Sequence, residues 1–333
     1  MQTLPETSSD TLNNASSEIN SDAQGPKIAV IIPCYNEEVT IARVIKDFRE
    51  ALPTAQIFVY DNNSKDKTSQ VAADAGAIVK QEIRQGKGFA IRRAFSDIDA
   101  DVYLMVDGDA TYDAQSARKL IDKVTKEHFD FVNGARIHDS SKAYRPGHTF
   151  GNYMLTRAVS LVFGRQTEDM LSGYKALSRR FVKSFPATSK GFEIETELMV
   201  HALELKVPIA EIETPYKERP EDSFSKLSTF KDGYKITRMI FHLVRIEKPL
   251  SFFLLGACAL FALSLILVTP IFIEFLRTGE VRRFPTAFLA GMLGVSGIFS
   301  VSTGFILDLV QRARHEAKML HYLSIKPYQG EDS

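Results

Sequence analysis

Two stretches of this 333-residue chain, residues 250–273 and 284–307, each run for 24 positions without a charged side chain. Roughly 20 apolar residues cross the hydrocarbon core of a bilayer as a helix, which satisfies its own backbone polar groups there. Only 10 residues separate the two runs, so the pair reads as a helical hairpin with both ends on one side of a membrane. The competing reading, two buried helices of a soluble protein, is disfavoured by uncharged runs this long. Flanking bases set the orientation. Lys226, Lys231, Lys235, Arg238, Arg245 and Lys248 precede the first run, and Arg312, Arg314, Lys318 and Lys326 follow the second. The connecting turn carries Arg277, Arg282 and Arg283. Ten bases against three place the large N-terminal part in the cytoplasm, as a multi-pass membrane protein, in the inner membrane if the cell is bacterial.

The rest of the chain divides by composition. Residues 1–25 carry Glu6, Asp10, Glu18 and Asp22, no base, and many Ser, Asn and Thr. Such a segment buries too little apolar surface to order itself, so a disordered acidic tail is expected. It lacks the basic start and apolar run of a secretory signal. Residues 26–226 are expected to form the main soluble domain and residues 227–249 an amphipathic juxtamembrane helix. The membrane part then covers 250–310 and a cytoplasmic C-terminal tail covers 311–333. In the juxtamembrane segment Tyr234, Ile236, Met239, Phe241 and Val244 interleave with Lys and Arg, which suits a helix lying on anionic headgroups. Acids and bases balance at 41 each, so no global charge argues for nucleic acid. Cys34 and Cys258 fall in a loop and a membrane run, which excludes a disulfide framework or a zinc site.

Between residues 27 and 213 short β-rich runs alternate with helical periodicity. Residues 28–32, 57–60, 77–80, 102–106 and 129–133 read as strands. Residues 38–52, with Val39, Ala42, Val44, Ile45 and Phe48 on one face, read as a helix, as do 67–75, 88–98 and 113–127. Continuous apolar strands alternating with helices indicate an α/β domain, Rossmann-like, with a mostly parallel sheet covered on both faces. Ligands of such sheets bind beyond the carboxyl ends of the strands. Polar clusters stand at three of those ends: Tyr35-Asn36-Glu37-Glu38, Asp61-Asn62-Asn63-Ser64 and Asp107-Gly108-Asp109. Asn, Asp and Ser also cap helices, and Ser64 and Asp66 are expected to do so. Capping alone does not place carboxylates at all three ends.

Asp107 and Asp109 offer two hard oxygen donors one residue apart. Mg²⁺ or Mn²⁺ held by one or two carboxylates keeps positions for substrate phosphates, which points to a nucleotide-diphosphate substrate. Gln85-Gly86-Lys87-Gly88 departs from the P-loop pattern but would bring Lys87 and backbone amides toward a diphosphate. His128, His138, His148, His201 and His242 show no ligand spacing, and neither G-x-S-x-G nor a Cys/His pairing supports acyl chemistry.

These pieces together resemble glycosyltransferase family 2, whose members have the GT-A fold. The matching segments are Ile31-Ile32-Pro33-Cys34-Tyr35-Asn36-Glu37-Glu38, Asp61-Asn62-Asn63-Ser64-Lys65-Asp66-Lys67-Thr68, Gly86-Lys87-Gly88 and Asp107-Gly108-Asp109. Further along stand Asp169-Met170-Leu171-Ser172-Gly173-Tyr174 and Arg219-Pro220-Glu221-Asp222-Ser223-Phe224-Ser225-Lys226. Within the family the chain looks most like the polyprenyl-phosphate glycosyltransferases, the group of dolichol-phosphate mannose synthase and the bacterial undecaprenyl-phosphate sugar transferases. The resemblance implies an inverting, metal-dependent hexosyltransferase. It would move a hexose from a UDP- or GDP-linked sugar to a polyprenyl phosphate at the cytoplasmic membrane face. By analogy with bacterial relatives it implies a homo-oligomer, a tetramer being one form.

The same resemblance implies roles for residues. Pro33, Tyr35, Asn36, Glu37, Asp61 and Asn63 would hold the nucleoside, with Lys87 and Asp107 toward the diphosphate. Asp107 and Asp109 would bind Mg²⁺ or Mn²⁺; in some relatives a Gln two residues on joins them, and Thr111 stands there in this chain. Arg136, Arg157 and Ser172 would bind the acceptor phosphate. Asp169 would orient the acceptor or act as a base, the first being favoured because a phosphate nucleophile is already anionic. Arg219 and Lys226 would lie on a loop closing over the phosphates, with Asp222 or Ser223 where relatives have Gly. A processive polysaccharide synthase shares the donor half, but the chain has no tryptophan for a Q-x-x-R-W motif and only two apolar runs. A membrane-anchored nucleotide-sugar sensor or scaffold is the non-enzymatic alternative.

Overall fold

The computed structural model describes residues 25–138, 169–191, 193–217, 245 and 248–328. The acidic tail and most of the amphipathic segment expected over 227–249 lie outside the described residues.

Seven strands form one sheet: β1 (Ile28–Cys34), β2 (Gln56–Asp61), β3 (Ile78–Gln81), β4 (Val102–Met105), β5 (Phe131–His138), β6 (Lys175–Ser178) and β7 (Ile209–Tyr216), in the order β3-β2-β1-β4-β6-β5-β7. The first four run parallel, as does the β5–β7 pair. The sheet is mixed because β6 runs antiparallel to both β4 and β5. It enters from residues 169–174, at the same edge where β4 ends, so Lys175 pairs in register with Met105.

The continuous apolar strands bury both faces. Ala29, Ile31, Tyr103 and Met105 face helices α3 (Lys87–Asp97), α5 (Arg179–Ser184) and α6 (Ile194–Leu205). Val30, Ile32, Val102 and Leu104 face α1 (Ile41–Ala51) and α4 (Ala117–Thr125). Successive strand side chains point to opposite faces, so one run of apolar residues supplies both cores. On α1 the buried residues Ile41, Val44, Ile45 and Phe48 recur at helical spacing. Val39 and Ala42 are exposed, since the helix starts only at Ile41 and turns Ala42 outward. Helix α2 (Thr68–Asp74) lies between β2 and β3.

Two long helices follow: α7 (Pro249–Thr278) and α8 (Phe284–Ser324), both long and apolar enough to cross a membrane. They pack against each other and leave Leu255, Ile266 and Phe299 facing outward, unlike the core helices of a soluble domain. Small residues make the seam. Ala290, Gly297 and Gly304 of α8 are buried at seven-residue spacing, and a Cβ on Gly297 would press on the Phe261 ring. Ser264 donates to the Ala290 carbonyl at 2.7 Å and Ser300 to that of Phe253 at 2.8 Å. From the sequence the second span ends near residue 307 and residues 311–333 read as a tail. The helix instead continues to Ser324, and its last turns pack on α5 and α6.

Phe48 locks α1 to the site-bearing part of the sheet through an edge-on contact with Tyr174 at 6.0 Å. Phe48→Ala leaves a cavity on that face and is expected to lower domain stability by about 3–5 kcal/mol. Urea unfolding in detergent checks it; a loss below about 1 kcal/mol contradicts this packing.

Candidate active site

The carboxyl ends of β1, β2 and β4 are tied together by side chains. After β1 the chain turns at Asn36, whose backbone adopts a left-handed φ of 52°. Its amide donates to Ser64 Oγ at 2.9 Å, and its Oδ1 accepts from the Lys65 amide at 2.8 Å. Ser64 thus staples two loops rather than capping a helix, while Asp66 Oδ1 accepts from the Thr68 amide at 3.0 Å. Glu37 N donates to Thr68 Oγ1 at 2.8 Å. Asp61 closes β2 and accepts from the Ser64 amide at 3.1 Å and Ser69 Oγ at 2.5 Å. Next to it Asn62 donates to the Arg84 carbonyl at 2.7 Å and accepts from the Gly86 amide at 2.5 Å. Asn63 follows with φ at 64°. Cys34, expected in a loop, is the buried last residue of β1 and touches the loop after β4. Pro33 lies in β1 and Tyr35 just after it, both half-buried.

The acidic loop after β4 joins this assembly through Thr40, which donates to the Gly108 carbonyl at 2.6 Å. The β1 and β4 ends therefore share one crevice. Asp109 is buried and accepts from Thr111 Oγ1 at 2.6 Å. Ala110 between them holds φ at 59°, a left-handed conformation costly for alanine that persists only where neighbours impose it.

Asp107 is paired with Lys87, and Lys87 also pairs with Glu195 at the start of α6. Gly86 and Gly88 permit this: a Cβ on either would overlap the carbonyl oxygens of Lys190 and Ser189, just ahead of α6. Burial works against the Lys87 ammonium, but the two carboxylates outweigh it and hold its pKa above the ordinary value. Two carboxylates share one ammonium here, and burial pushes the Glu195 carboxyl upward. Among the described residues Glu195 Oε2 finds no hydrogen-bond partner.

A second cluster abuts the first. Gly173 lies so close to Asp107 that a Cβ there would strike its carboxylate. Its amide donates to Tyr112 Oη at 2.7 Å, and Ser172 Oγ donates to the Gly134 carbonyl at 2.5 Å. On β5 Arg136 grips Asp169 with Nε–Oδ2 at 2.7 Å and Nη2–Oδ1 at 2.8 Å, its backbone amide adding a third bond at 3.2 Å. Burial raises the Asp169 pKa, but the guanidinium overrides it and holds the carboxyl below its ordinary range. The guanidinium also lies 5.5 Å from the Tyr216 ring. Behind this pair Lys175, fully buried, donates to Asn133 Oδ1 at 2.6 Å, and Asn133 Nδ2 donates to the Asp169 carbonyl at 2.8 Å.

Pro33, Tyr35, Asn36, Glu37, Asp61, Asn63, Lys87, Asp107 and Asp109 thus stand at the joined ends of β1, β2 and β4 and at the start of α3. Arg136, Asp169 and Ser172 adjoin them across Gly173. Arg157, Arg219 and Lys226 lie outside the described residues. The sequence singles out neither Glu195 nor Lys175, and it marks Asn62 only as part of the Asp61-Asn62-Asn63-Ser64 cluster. Glu195 stands in Glu193-Ile194-Glu195-Thr196-Glu197, where nothing local separates the buried acid from its neighbours.

Comparisons with known proteins bear on this arrangement. The sequence profile described as glycosyl transferase family 2 matches residues 29–185. The glycosyltransferase AglJ of Haloferax volcanii is 37% identical over 232 residues, covering 68% of this chain and 75% of its own length. A dolichyl-phosphate hexose transferase of the same organism is 28% identical over 213 residues, covering 64% of this chain and 92% of its own. The solved glucosyl-3-phosphoglycerate synthase of Mycobacterium tuberculosis, in complex with Mn²⁺ and UDP-glucose, shares the GT-A fold. It superposes with a TM-score of 0.53 at 20% identity, covering 73% of this chain and 84% of that one.

Burial pushes the Lys175 ammonium from the ordinary 10.5 down to about 8. Below pH 8 the folded state bears the full cost of burying that charge. Between about pH 8 and 10 the unfolded chain binds more protons than the folded one, so this group makes stability rise with pH. The melting temperature of the wild type is therefore expected to climb relative to that of Lys175→Met between pH 7.5 and 9.5. A difference independent of pH contradicts a charged, buried Lys175.

Proposed function

The chain belongs to glycosyltransferase family 2, and from that membership we propose that it transfers a hexose from a nucleotide-diphosphate sugar to a polyprenyl phosphate at the cytoplasmic face of a membrane. The observation that carries this reading is the contact of Gly173 with Asp107, which brings the acidic loop after β4 directly against the Arg136–Asp169 pair. The relatives whose names include dolichyl-phosphate hexose transferase and dolichol-phosphate mannosyltransferase support the lipid acceptor. The two helices long and apolar enough to cross a membrane support a bilayer location.

The donor set of the acidic loop fits a divalent cation. Asp107 and Asp109 offer hard oxygens, and among the described residues no third His, Cys, Asp or Glu gathers with them. That count suits Mg²⁺ or Mn²⁺, which completes its coordination with phosphate oxygens and water. When bound, the cation neutralises charge on the diphosphate as it departs. Lys87, kept charged by Asp107 and Glu195, adds a second positive group at the same end.

The acceptor needs little help with its proton, because a phosphate monoester is already anionic at neutral pH. What it needs is alignment against another anion. Arg136 supplies a charged, planar donor, and Asp169 fixes its direction. Both carboxylate oxygens of Asp169 are committed to that guanidinium, and its low pKa makes it a poor proton acceptor. Asp169 is thus a positioning residue and not the base. A phosphate oxygen attacks the anomeric carbon opposite the leaving diphosphate, and that carbon inverts.

Incubating the purified protein with Mn²⁺, a panel of UDP- and GDP-sugars and a short polyprenyl phosphate is expected to yield a lipid-linked hexose by mass spectrometry. No lipid product from any donor contradicts the reading. Asp109→Ala is expected to lower transfer at least a thousandfold with the melting temperature nearly unchanged, and near-normal transfer overturns the metal assignment. Arg136→Ala is expected to raise the KM for the lipid phosphate about tenfold or more while leaving nucleotide affinity within twofold. An unchanged lipid KM removes Arg136 from the acceptor end.

A further inference from the structure

Helix α8 does not stop where its apolar run ends. It continues without Gly or Pro from Asp308 to Ser324, and its last turns are built into the soluble domain. Tyr322 is buried and its Oη donates to Asp130 Oδ2 at 2.6 Å. Arg180, at the start of α5, gives the same carboxylate two bonds, at 2.7 and 2.6 Å, and lays its guanidinium 4.8 Å from the Tyr322 ring. Ser178 Oγ completes the shell of Asp130 at 2.6 Å. One turn earlier Lys318 pairs with Glu204 of α6, a carboxylate that is almost wholly buried, and Met319 packs on the core. Lys318, Met319 and Tyr322 share one helical face, so this is a docked surface and not a chance touch.

The position of that dock matters. Asp130 immediately precedes β5, the strand that carries Asn133, Gly134 and Arg136. Tyr322 lies 15 residues beyond Leu307, or about 22 Å along a helix at 1.5 Å per residue. An unbroken helix therefore runs from the apolar span to the foot of the strand bearing the acceptor arginine. A lipid phosphate is confined to the bilayer surface, so the height and tilt of Arg136 over that surface decide whether it is met.

We propose that Tyr322, through Asp130, is a positioning residue that fixes the cleft over the membrane for acceptors embedded in a bilayer. This rests on the lipid-phosphate reading given above. It assigns α8 a task beyond anchoring. Nucleotide binding needs no such alignment, because the donor arrives from water.

The test uses the full-length protein in lipid nanodiscs containing a long-chain polyprenyl phosphate, and in detergent with a short, water-soluble one. Tyr322→Ala is expected to lower kcat/KM for the bilayer acceptor about tenfold, with short-acceptor turnover and nucleoside-diphosphate affinity within twofold. Tyr322→Phe keeps the ring against Arg180 but loses the bond to Asp130, and is expected to fall in between. Lys318→Ala loosens the same dock and keeps the question open to measurement if Tyr322→Ala fails to fold. An equal fall for both acceptors shows a merely structural role, and no fall in nanodiscs shows no role; either overturns the proposal. A readout independent of turnover separates this from failure of the lipid reading. Förster transfer from a fluorophore at Lys126→Cys, in a Cys258→Ser background, to a headgroup dye is expected to be narrowly distributed in the otherwise wild-type protein and broad with Tyr322→Ala. Identical distributions overturn the proposal whether or not any lipid is glycosylated.

Discussion

The ammonium of Lys87 holds the cleft together. It sits at the start of α3 with Asp107 from the β4 loop on one side and Glu195 from α6 on the other. Three segments far apart in sequence are brought to one point, and each carboxylate would be costly to bury without that charge. Asp107 in turn contacts Gly173, which leads into β6 and the Asp169–Arg136 pair. The acidic loop after β4 and the Asp169–Arg136 pair are thus successive links of one polar chain at the strand ends.

That chain explains the use of charge across the site. Lys87, Arg136 and Lys175 lie within the domain beside Asp107, Asp169 and Glu195, so each buried charge has an opposite one near it. On the proposed reading, Lys87 and Arg136 would offset the mutual repulsion of two phosphorylated molecules, the main obstacle to their alignment. Arg136 is fixed by a bidentate partner and Lys87 by two, so neither must pay reorganisation when ligands arrive.

Much of this is legible in the sequence. Uncharged runs longer than a bilayer is thick admit few folds, and β-branched runs ended by Asn and Asp mark strand ends facing ligand. Those two signals located the hairpin and the loops at Tyr35, Asp61 and Asp107. What escaped depends on distant partners. Glu195 is one acid among three at alternate positions, and its partner Lys87 lies 108 residues away in sequence. Lys175 looks like an ordinary edge lysine until β6 is known to lie between β4 and β5. The segment beyond Leu307 resembles a tail because the residues that dock it, such as Met319 and Tyr322, find their partners on the distant soluble domain. The antiparallel course of β6 has the same origin, since strand direction is set by pairing rather than by composition.

The central claim is that one cleft holds a cation-bound diphosphate beside an acceptor phosphate. Phosphorus ENDOR on Mn²⁺, added with a nucleoside diphosphate and a short polyprenyl phosphate, reads this directly. The account expects strong coupling to the diphosphate phosphorus, a weaker coupling that appears only with the lipid phosphate, and loss of both in Asp109→Ala. Absence of diphosphate coupling in the wild type, or its persistence in Asp109→Ala, would contradict it.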